Sequence, residues 1–482
     1  MGILSELEPK NVFRYFEYIS SVPHGSGNTK QISDLCVAFA REHGLRYRQD
    51  EVNNVVIWKD ASPGYESAEP IILQGHIDMV CAKTGDCTKD MAAEPIDLVT
   101  DGAYVWADKT SLGGDDGVAV AMVMAILADD TLQHPPIEAV FTVDEEVGMD
   151  GAFALDCSDL KGRRMLNIDS EDEGVFTVSC AGGMRLDSFL PAVRRPLAGE
   201  AVYALTLTGL LGGHSGVEID KGRGNAIHLM GRVLHTAQSA CPGLRLADLN
   251  GGQFDNVICR ECTAAVAVPA AEAEAFEAFV REFDATLRNE YAASDPGLTL
   301  TCARASADGA LDAETTARLL HVLFLLPQGV QEMSCDFPGL VQTSLNLGII
   351  SLEADGLHYT HSIRSSFASQ KELLRRKLHA AAEYAGGSVS ERGDYPNWQY
   401  RKDSAFRTTV EEAYRDLTGK EGRIDATHGG LECGLFIAKL PGLDAISLGP
   451  NLTDVHSPRE RLDVASTARV YALVCEVLRR CR

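Results

Sequence analysis

The 482-residue sequence contains no run of about 18 consecutive apolar residues, so no transmembrane helix is expected. Its first residues lack the basic start and long apolar run of a secretory signal, so no targeting segment is expected. Basic residues are also in the minority, because 44 Lys and Arg against 69 Asp and Glu leave a net charge of −25. Nucleic acids and anionic membranes select for basic patches, so neither is expected as a partner. Together these absences predict a cytoplasmic protein.

The remaining composition is that of a globular chain with several domains. Apolar residues make up 45% and charged residues 23%, which excludes a mostly disordered protein. The length suggests two or three domains with large cores. The 13 cysteines are scattered, and we expect reduced thiols packed as small apolar side chains.

Both ends of the chain alternate strand and helix patterns. Short apolar runs predict strands at 71–74, 137–143, 165–168 and 444–448, and helical spacing predicts a helix at 118–127. This βαβ rhythm predicts an α/β fold with a mainly parallel central sheet. Ligands bind such sheets beyond the carboxyl ends of the strands.

The middle of the chain has a different pattern. Alternating strands near 202–207, 342–350 and 359–365 are mixed with helices near 225–238, 271–289 and 371–384. This α+β pattern indicates an inserted domain at about 186–395. The catalytic domain is then expected in two parts, at 1–185 and 396–482.

Imidazoles and carboxylates follow the predicted strands of the α/β domain, and His456 lies far downstream. Such ligands suit zinc, and also manganese or cobalt. Their number exceeds one tetrahedral site and fits two metal ions about 3.5–4 Å apart that share a carboxylate. Asp115, in a glycine-flanked turn at a helix start, suits the bridge, and Asp78 is spaced to orient His76. The candidates are His76, Asp78, Asp115, Asp116, Glu145, Glu146, Asp169 and His456.

Glu145 and Glu146 form an adjacent pair at one strand end. Neighbouring residues there point in different directions, so one carboxylate can bind metal while the other moves a proton. Zinc lowers the pKa of bound water to about 7, and a nearby carboxylate can then act as general base. The pair therefore predicts amide hydrolysis.

Seven motifs, in order along nearly the whole chain, resemble the di-zinc exopeptidases of the aminoacylase/carboxypeptidase clan. The last two resemble the aminoacyl-histidine dipeptidase (peptidase D, carnosine dipeptidase-like) family of that clan. The motifs are at residues 75–80, 112–117, 142–148, 167–171, 212–216, 428–434 and 449–458.

The resemblance implies a role for each matching residue. His76 and Asp169 would hold one metal ion, Glu146 and His456 the other, and Asp115 would bridge them. Glu145 would be the general base for a metal-bound hydroxide, and Asp78 would orient His76. In the inserted lid, His214 would stabilise the oxyanion. Asn256, Arg364 and Gly430 would hold the substrate's carboxylate or carbonyl, for which the Arg fork is suited.

Two positions depart from the family pattern. Asp116 stands where relatives often have Asn, which adds a carboxylate beside the bridge. Around Asn256, the sequence lacks the expected basic residue and Ala-Ile-Pro run, so the substrate role of Asn256 rests on a partial match.

The implied activity is a dipeptidase that cleaves Xaa-His dipeptides, including β-alanyl-histidine, with two zinc ions per chain. An N-acyl-amino-acid deacylase or an aminotripeptidase of the same clan is the nearest alternative. A non-catalytic binding protein on a peptidase fold is an alternative of another class. In relatives with a lid of about 100 residues, the lid histidine reaches the partner's active site. The insert here is about 200 residues long, which is enough to supply His214 within one chain. A homodimer is the expectation, and whether His214 acts in its own chain or in the partner stays open.

Overall fold

The computed structural model describes residues 2–482, which form two compact units. Unit 1 holds the residues up to Ser179, together with Tyr400–Ala426 and Leu431–Arg482. Unit 2 holds Cys180–Gln399 and Thr427–Gly430. The sequence analysis places the insert at 186–395, whereas the structure begins unit 2 at Cys180 and returns to it briefly at Thr427.

Eleven α-helices are present in the described residues, with short 3-10 turns at Ile219–Lys221 and Ala270–Glu272. In chain order the helices are α1 (Lys10–Ser20), α2 (Lys30–Glu42), α3 (Gly114–Ala128), α4 (Asp150–Ala154), α5 (Ala226–Ala240), α6 (Ala273–Glu290), α7 (Ala313–Leu325), α8 (Ala368–Tyr384), α9 (Ala405–Thr418), α10 (Glu432–Lys439) and α11 (Val464–Arg480).

The strands are numbered in chain order over the same residues. They are β1 (Arg46–Gln49), β2 (Val55–Lys59), β3 (Ile71–His76), β4 (Leu98–Thr100), β5 (Tyr104–Ala107), β6 (Ile137–Thr142), β7 (Arg164–Asn167), β8 (Val175–Cys180), β9 (Gly182–Pro191), β10 (Arg194–Arg195), β11 (Ala201–Thr208), β12 (Gly213–His214), β13 (Arg245–Gly251), β14 (Val257–Ile258), β15 (Cys262–Val268), β16 (Thr299–Ala305), β17 (Ala310–Leu311), β18 (Gly329–Met333), β19 (Val341–Leu352), β20 (Gly356–Ser365), β21 (Ser388–Tyr395), β22 (Arg423–Thr427), β23 (Asp444–Ser447), β24 (Leu452–Thr453) and β25 (Arg461–Asp463).

Unit 1 is built on an eight-stranded sheet in the order β1-β2-β6-β3-β7-β23-β8-β22. The four central strands β6, β3, β7 and β23 are parallel, which confirms the predicted α/β fold. Strands β1, β2 and β8 extend this centre with antiparallel pairs. The carboxyl ends of β6, β3 and β7 therefore lie side by side at one edge of the sheet.

Helix α3 is buried on all sides against β3 and α1, which explains its almost uninterrupted apolar sequence from Val118 to Leu127. The helix approaches β3 closely at Gly75, where an added Cβ would lie 2.5 Å from the Asp116 Oδ2. Glycine at this position lets the first turn of α3 lie directly beside His76.

Unit 2 is built on a nine-stranded sheet in the order β16-β11-β15-β13-β19-β20-β9-β21, with β18 beside β19. Its pairs are antiparallel, and alternate residues of β11 and β20 enter a core shared with α5 to α8. Strand β13 pairs with β19 through Asn250 and Gly251. This pairing joins β16, β11, β15 and β13 to β19, β20, β9 and β21 in one continuous sheet. This arrangement confirms the predicted α+β insert.

Among residues 2–482, no helix has the length and apolar character needed to cross a membrane.

Candidate metal centre

The carboxyl ends of the parallel strands bring the predicted ligands of unit 1 together. His76 is the last residue of β3, Glu146 lies four residues beyond β6, and Asp169 lies two residues beyond β7. Asp115 lies in the first turn of α3, where its backbone is not helical, and His456 lies between β24 and β25.

The first group of ligand atoms surrounds the His76 imidazole. His76 Nε2 lies 3.1 Å from the Asp115 Oδ1 and 3.8 Å from the Asp169 Oδ1. The His76 side chain is 1% exposed, so these atoms face one another in a nearly dry environment.

The second group surrounds His456. Its Nε2 lies 3.2 Å from the Asp115 Oδ2 and 3.0 Å from the Glu146 Oε1. The two oxygens of Asp115 thus face different imidazoles. A carboxylate in this position suits a bridge between two ions.

These spacings fit metal coordination. Ligands about 2.0–2.2 Å from a tetrahedral zinc ion are separated from one another by about 3.3 Å. His76, Asp115 and Glu146 offer ligand atoms within 4.8 Å of one another, and the His456 Nε2 lies beside the last two, so the residues present fit two divalent ions that share Asp115. Asp116 belongs to a further cluster with His76 and Asp169, whose ligand atoms lie within 4.8 Å of one another.

The Asp116 carboxylate is buried beside the bridge rather than pointing to solvent. Its Oδ2 accepts a hydrogen bond from the His76 backbone N–H at 3.3 Å. Burial and the nearby Asp169 carboxylate raise the pKa of Asp116 well above its ordinary value. Asp116 therefore supports the His76 backbone, while Asp115 faces both imidazoles.

Electrostatics in this centre favour cations. Hydrogen bonds to Asp115 and Glu146 raise the pKa of His456 to about 10. Burial opposes the charged form of His76, but bonds to Asp115 and Asp78 raise its pKa well above the ordinary value. Burial likewise opposes ionisation of Asp115, yet bonds to the two imidazoles lower its pKa. A site that favours imidazolium between carboxylates also attracts metal cations.

Asp78 connects the first ligand group to the turn that holds Glu145. Its Oδ1 accepts the Glu145 backbone N–H at 3.1 Å and lies 3.4 Å from the His76 Nδ1. The shorter contact of the His76 Nδ1, at 2.9 Å, is to the Asp78 backbone carbonyl. Asp78 therefore orients His76 through its carbonyl as well as its carboxylate. The Ser26 hydroxyl donates to the Asp78 Oδ2 at 2.8 Å.

Glu145 follows Asp144, which adopts a left-handed backbone with a φ of 55°. The Asp144 Oδ1 accepts the Gly27 N–H at 2.6 Å, which holds this strained turn in place. Burial raises the pKa of Glu145 to about 7, and the charges of Glu146 and Asp115 act in the same direction. A carboxylate with this pKa is suited to proton transfer near neutral pH.

Two buried glutamates beside the centre were missed by the sequence analysis. The Glu432 Oε2 accepts bonds from the Gln74 amide at 2.5 Å and the Thr142 hydroxyl at 2.7 Å. Glu460 binds the turn that precedes α3. The only sequence signal is that Glu432 lies within the motif at 428–434 and Glu460 two residues after the motif at 449–458.

The predicted substrate residues all lie in unit 2. An added Cβ on Gly216 would be 2.9 Å from the His214 ring and 3.3 Å from the Arg364 guanidinium carbon, so these side chains flank one point. The Ser215 N–H donates to the Asn256 carbonyl at 2.9 Å. Gly430 lies two residues from His428, whose Nε2 is 2.7 Å from the Ser344 hydroxyl.

His214, Arg364 and His428 form a cluster within unit 2 whose positive charge comes from Arg364. The sequence analysis did not select His428. Burial lowers the pKa of His428 to about 3, and the Arg364 charge contributes. Burial and Arg364 also lower the pKa of His214. The buried Arg364 Nε has no hydrogen-bond partner among residues 2–482. Neutral histidines around a free guanidinium N–H are suited to an anionic group.

Comparison with known proteins gives matches over the whole chain. A family profile described as a peptidase dimerisation domain matches residues 205–295. The cytosol non-specific dipeptidase of Escherichia coli (strain K12) is 37% identical over 481 residues, covering 99% of each chain. The crystal structure of aminoacylhistidine dipeptidase from Vibrio alginolyticus has a TM-score of 0.91 at 35% identity, covering 99% of this chain and 98% of that one.

A more distant structure shares the fold. Aminopeptidase PepT from Bacillus cereus has a TM-score of 0.57 at 14% identity, covering 98% of this chain and 99% of that one.

The fold, the cluster of imidazoles and carboxylates and these relatives define a metallopeptidase of the exopeptidase type. The chain belongs to the M20 peptidase family, in the group that contains the two dipeptidases just described. The family resemblance drawn from the sequence motifs is confirmed.

Proposed function

We propose that the protein is a metal-dependent dipeptidase that hydrolyses Xaa-His dipeptides, including β-alanyl-histidine, in the cytoplasm. One observation carries the proposal: each oxygen of Asp115 faces a different imidazole, and Glu145 lies in the turn beside these side chains. The names of the relatives from Escherichia coli and Vibrio alginolyticus support the dipeptide substrate and, for the first, the cytosolic location.

Two zinc ions are the proposed cofactors. His76, Asp115 and Asp169 would hold one ion, and His456, Asp115 and Glu146 the other. When bound, such ions polarise a scissile carbonyl and make water more acidic. Mixed imidazole and carboxylate ligands also accept manganese or cobalt.

Glu145 is the proposed general base. Its carboxylate takes the proton from the attacking water and later gives it to the leaving amine. Burial keeps the pKa of Glu145 high enough for both transfers near neutral pH. Asp78 holds the Glu145 backbone N–H and so fixes the turn during both steps.

His214 is the proposed oxyanion donor. Its Nδ1 accepts N–H bonds from Gly216 and Val217, each at 3.3 Å. A neutral imidazole that accepts at Nδ1 bears its proton on Nε2, so Nε2 is free to donate to a developing oxyanion. Arg364 would bind the free carboxylate of the dipeptide, with Asn256 and Gly430 positioning its backbone.

The activity test uses purified protein stripped of metal and reloaded with zinc, beside Glu145→Ala and the exposed control Glu66→Ala. We expect histidine release from β-alanyl-histidine and α-linked Xaa-His only with metal, lost in Glu145→Ala and retained in Glu66→Ala. Loss of this base is expected to lower kcat by at least about 100-fold because general-base catalysis typically contributes that factor.

Other outcomes would identify the alternatives. Release from N-acyl amino acids or tripeptides, but not from dipeptides, would replace the proposal with a deacylase or an aminotripeptidase. Two bound ions with no turnover of any of these substrates would indicate a binding protein.

We also propose a homodimer formed through unit 2, because the matched dimerisation profile covers 205–295. Sedimentation of the full chain at twice its mass of 52.0 kDa is expected. A species at 52.0 kDa alone would contradict the dimer.

A further inference from the structure

Glu460 binds the turn that leads into α3 with both carboxylate oxygens. Its Oε2 accepts the N–H groups of Leu112 at 2.8 Å and Gly113 at 3.2 Å. Its Oε1 accepts those of Gly114 at 2.8 Å and Asp115 at 3.3 Å. Four consecutive backbone donors therefore converge on one side chain, which is 3% exposed.

These contacts are specific to a carboxylate at this place. The first N–H groups of a helix have no partner within the helix, and they favour an anion. Gly114 is tightly packed here, because an added Cβ would lie 2.7 Å from Leu452 and 3.1 Å from the Glu460 Oε1. A side chain on Gly114 would therefore crowd Leu452 first and the carboxylate second.

Glu460 also lies four residues after His456, in the same loop between β24 and β25. The Glu460 N–H donates to the Ser457 carbonyl at 3.1 Å, which folds this loop into a turn. His456 itself has a left-handed backbone with a φ of 59°, a conformation that a histidine holds only when its surroundings fix it. The Glu460 side chain thus connects the loop that holds His456 to the turn that holds Asp115.

We propose that Glu460 is a positioning residue that holds Asp115 and His456 in register for two-metal binding. The inference rests on the metal centre proposed above. In this role, Glu460 acts by fixing the backbone from which the bridging carboxylate extends. Groups that orient metal ligands in this way typically contribute 10–100-fold to metal affinity.

The test compares Glu460→Gln with Glu138→Gln in the full chain. Glutamine keeps the size of the side chain but replaces one acceptor oxygen by an amino group, so two of the four N–H groups lose their partner. Glu138 is a matched control, because it is also 3% exposed and accepts backbone bonds from Lys161 and Gly162 at 2.9–3.1 Å. None of the five ligands extends from the Lys161–Gly162 turn.

Zinc affinity and the visible absorption of the cobalt-loaded protein are measured for each variant. We expect Glu460→Gln to bind both ions at least about 10-fold more weakly, with an altered cobalt spectrum and activity partly restored by excess metal. Glu138→Gln is expected to keep the wild-type affinities and spectrum, even if it unfolds at a lower temperature.

Wild-type zinc affinities and an unchanged cobalt spectrum in Glu460→Gln would overturn the proposal. If Glu460→Gln does not fold, Glu460→Asp takes its place with the same criteria, because the shorter side chain keeps the carboxyl group but cannot reach all four donors. Failure of the wild-type protein to bind two ions would instead overturn the metal centre itself.

Discussion

At the scale of single residues, the centre depends on buried carboxyl groups whose neighbours shift their pKa values in different directions. Burial opposes ionisation of Asp115, but hydrogen bonds to the two imidazoles lower its pKa. The pKa of Glu432 is raised to about 8 by burial, and the Glu145 charge adds to this effect. The folded protein therefore holds the Glu432 proton more tightly than the unfolded chain does.

Glu432 makes the metal-free protein less stable as the pH rises. Its pKa of about 8 in the folded state exceeds its ordinary value of 4.5, so the folded state binds the proton more tightly. This contribution to stability is complete below pH 4.5 and is lost as the pH rises through about 8. Glu432→Gln keeps the neutral shape at every pH.

We predict that the free energy of unfolding of Glu432→Gln, taken relative to that of the wild type, is higher at a pH of about 8.5 than at about 5.5. The expected increase is about 1–3 kcal/mol. Urea unfolding of both metal-free proteins at the two pH values measures the difference. An equal difference at both values would show that Glu432 does not titrate in this range.

At the scale of elements, α3 determines where Asp115 lies, because Asp115 is in its first turn. A lysine from the sheet binds the carboxyl-terminal end of the same helix. Lys59, at the end of β2, donates through its Nζ to the carbonyls of Ile126, Leu127 and Asp129 at 3.3, 3.0 and 2.8 Å. The last carbonyls of a helix have no partner within it and favour a cation. The Lys59 side chain is 9% exposed, so water cannot easily replace it.

We predict that Lys59→Met lowers the free energy of unfolding by about 1–3 kcal/mol, because it leaves buried carbonyls without a donor. Methionine retains the apolar stem and so isolates the loss of the ammonium group. Denaturant unfolding measures the effect, with Lys109→Met as the control. Lys109 pairs with Asp86 at 2.8 Å on the exposed surface, and its loss is expected to change little. Equal effects in the two variants would contradict this account of α3.

At the scale of the whole molecule, the sequence predicted the parts that follow from local pattern. Apolar runs and glycine-flanked turns located β3, β6, β7 and α3. Among the predicted ligands, the structure brings together His76, Asp115, Glu146 and Asp169. The antiparallel strands that flank the parallel centre were not predicted, because strand direction depends on long-range pairing.

Glu460 shows why other parts could not be predicted. Its partners are backbone N–H groups as many as 348 residues earlier in the chain, and backbone donors leave no trace in the residue types. The return of Thr427–Gly430 to unit 2, which places His428 beside Ser344, is equally invisible to local pattern.

The central claim is that Asp115 joins two metal sites in each chain. Its most direct measurement is a calorimetric zinc titration of the metal-free protein beside His456→Ala and Asp115→Ala. We predict two zinc ions per wild-type chain, one tightly bound ion in His456→Ala, and weakened binding of both ions in Asp115→Ala. A single ion in the wild-type protein, or loss of only one in Asp115→Ala, would contradict the bridge.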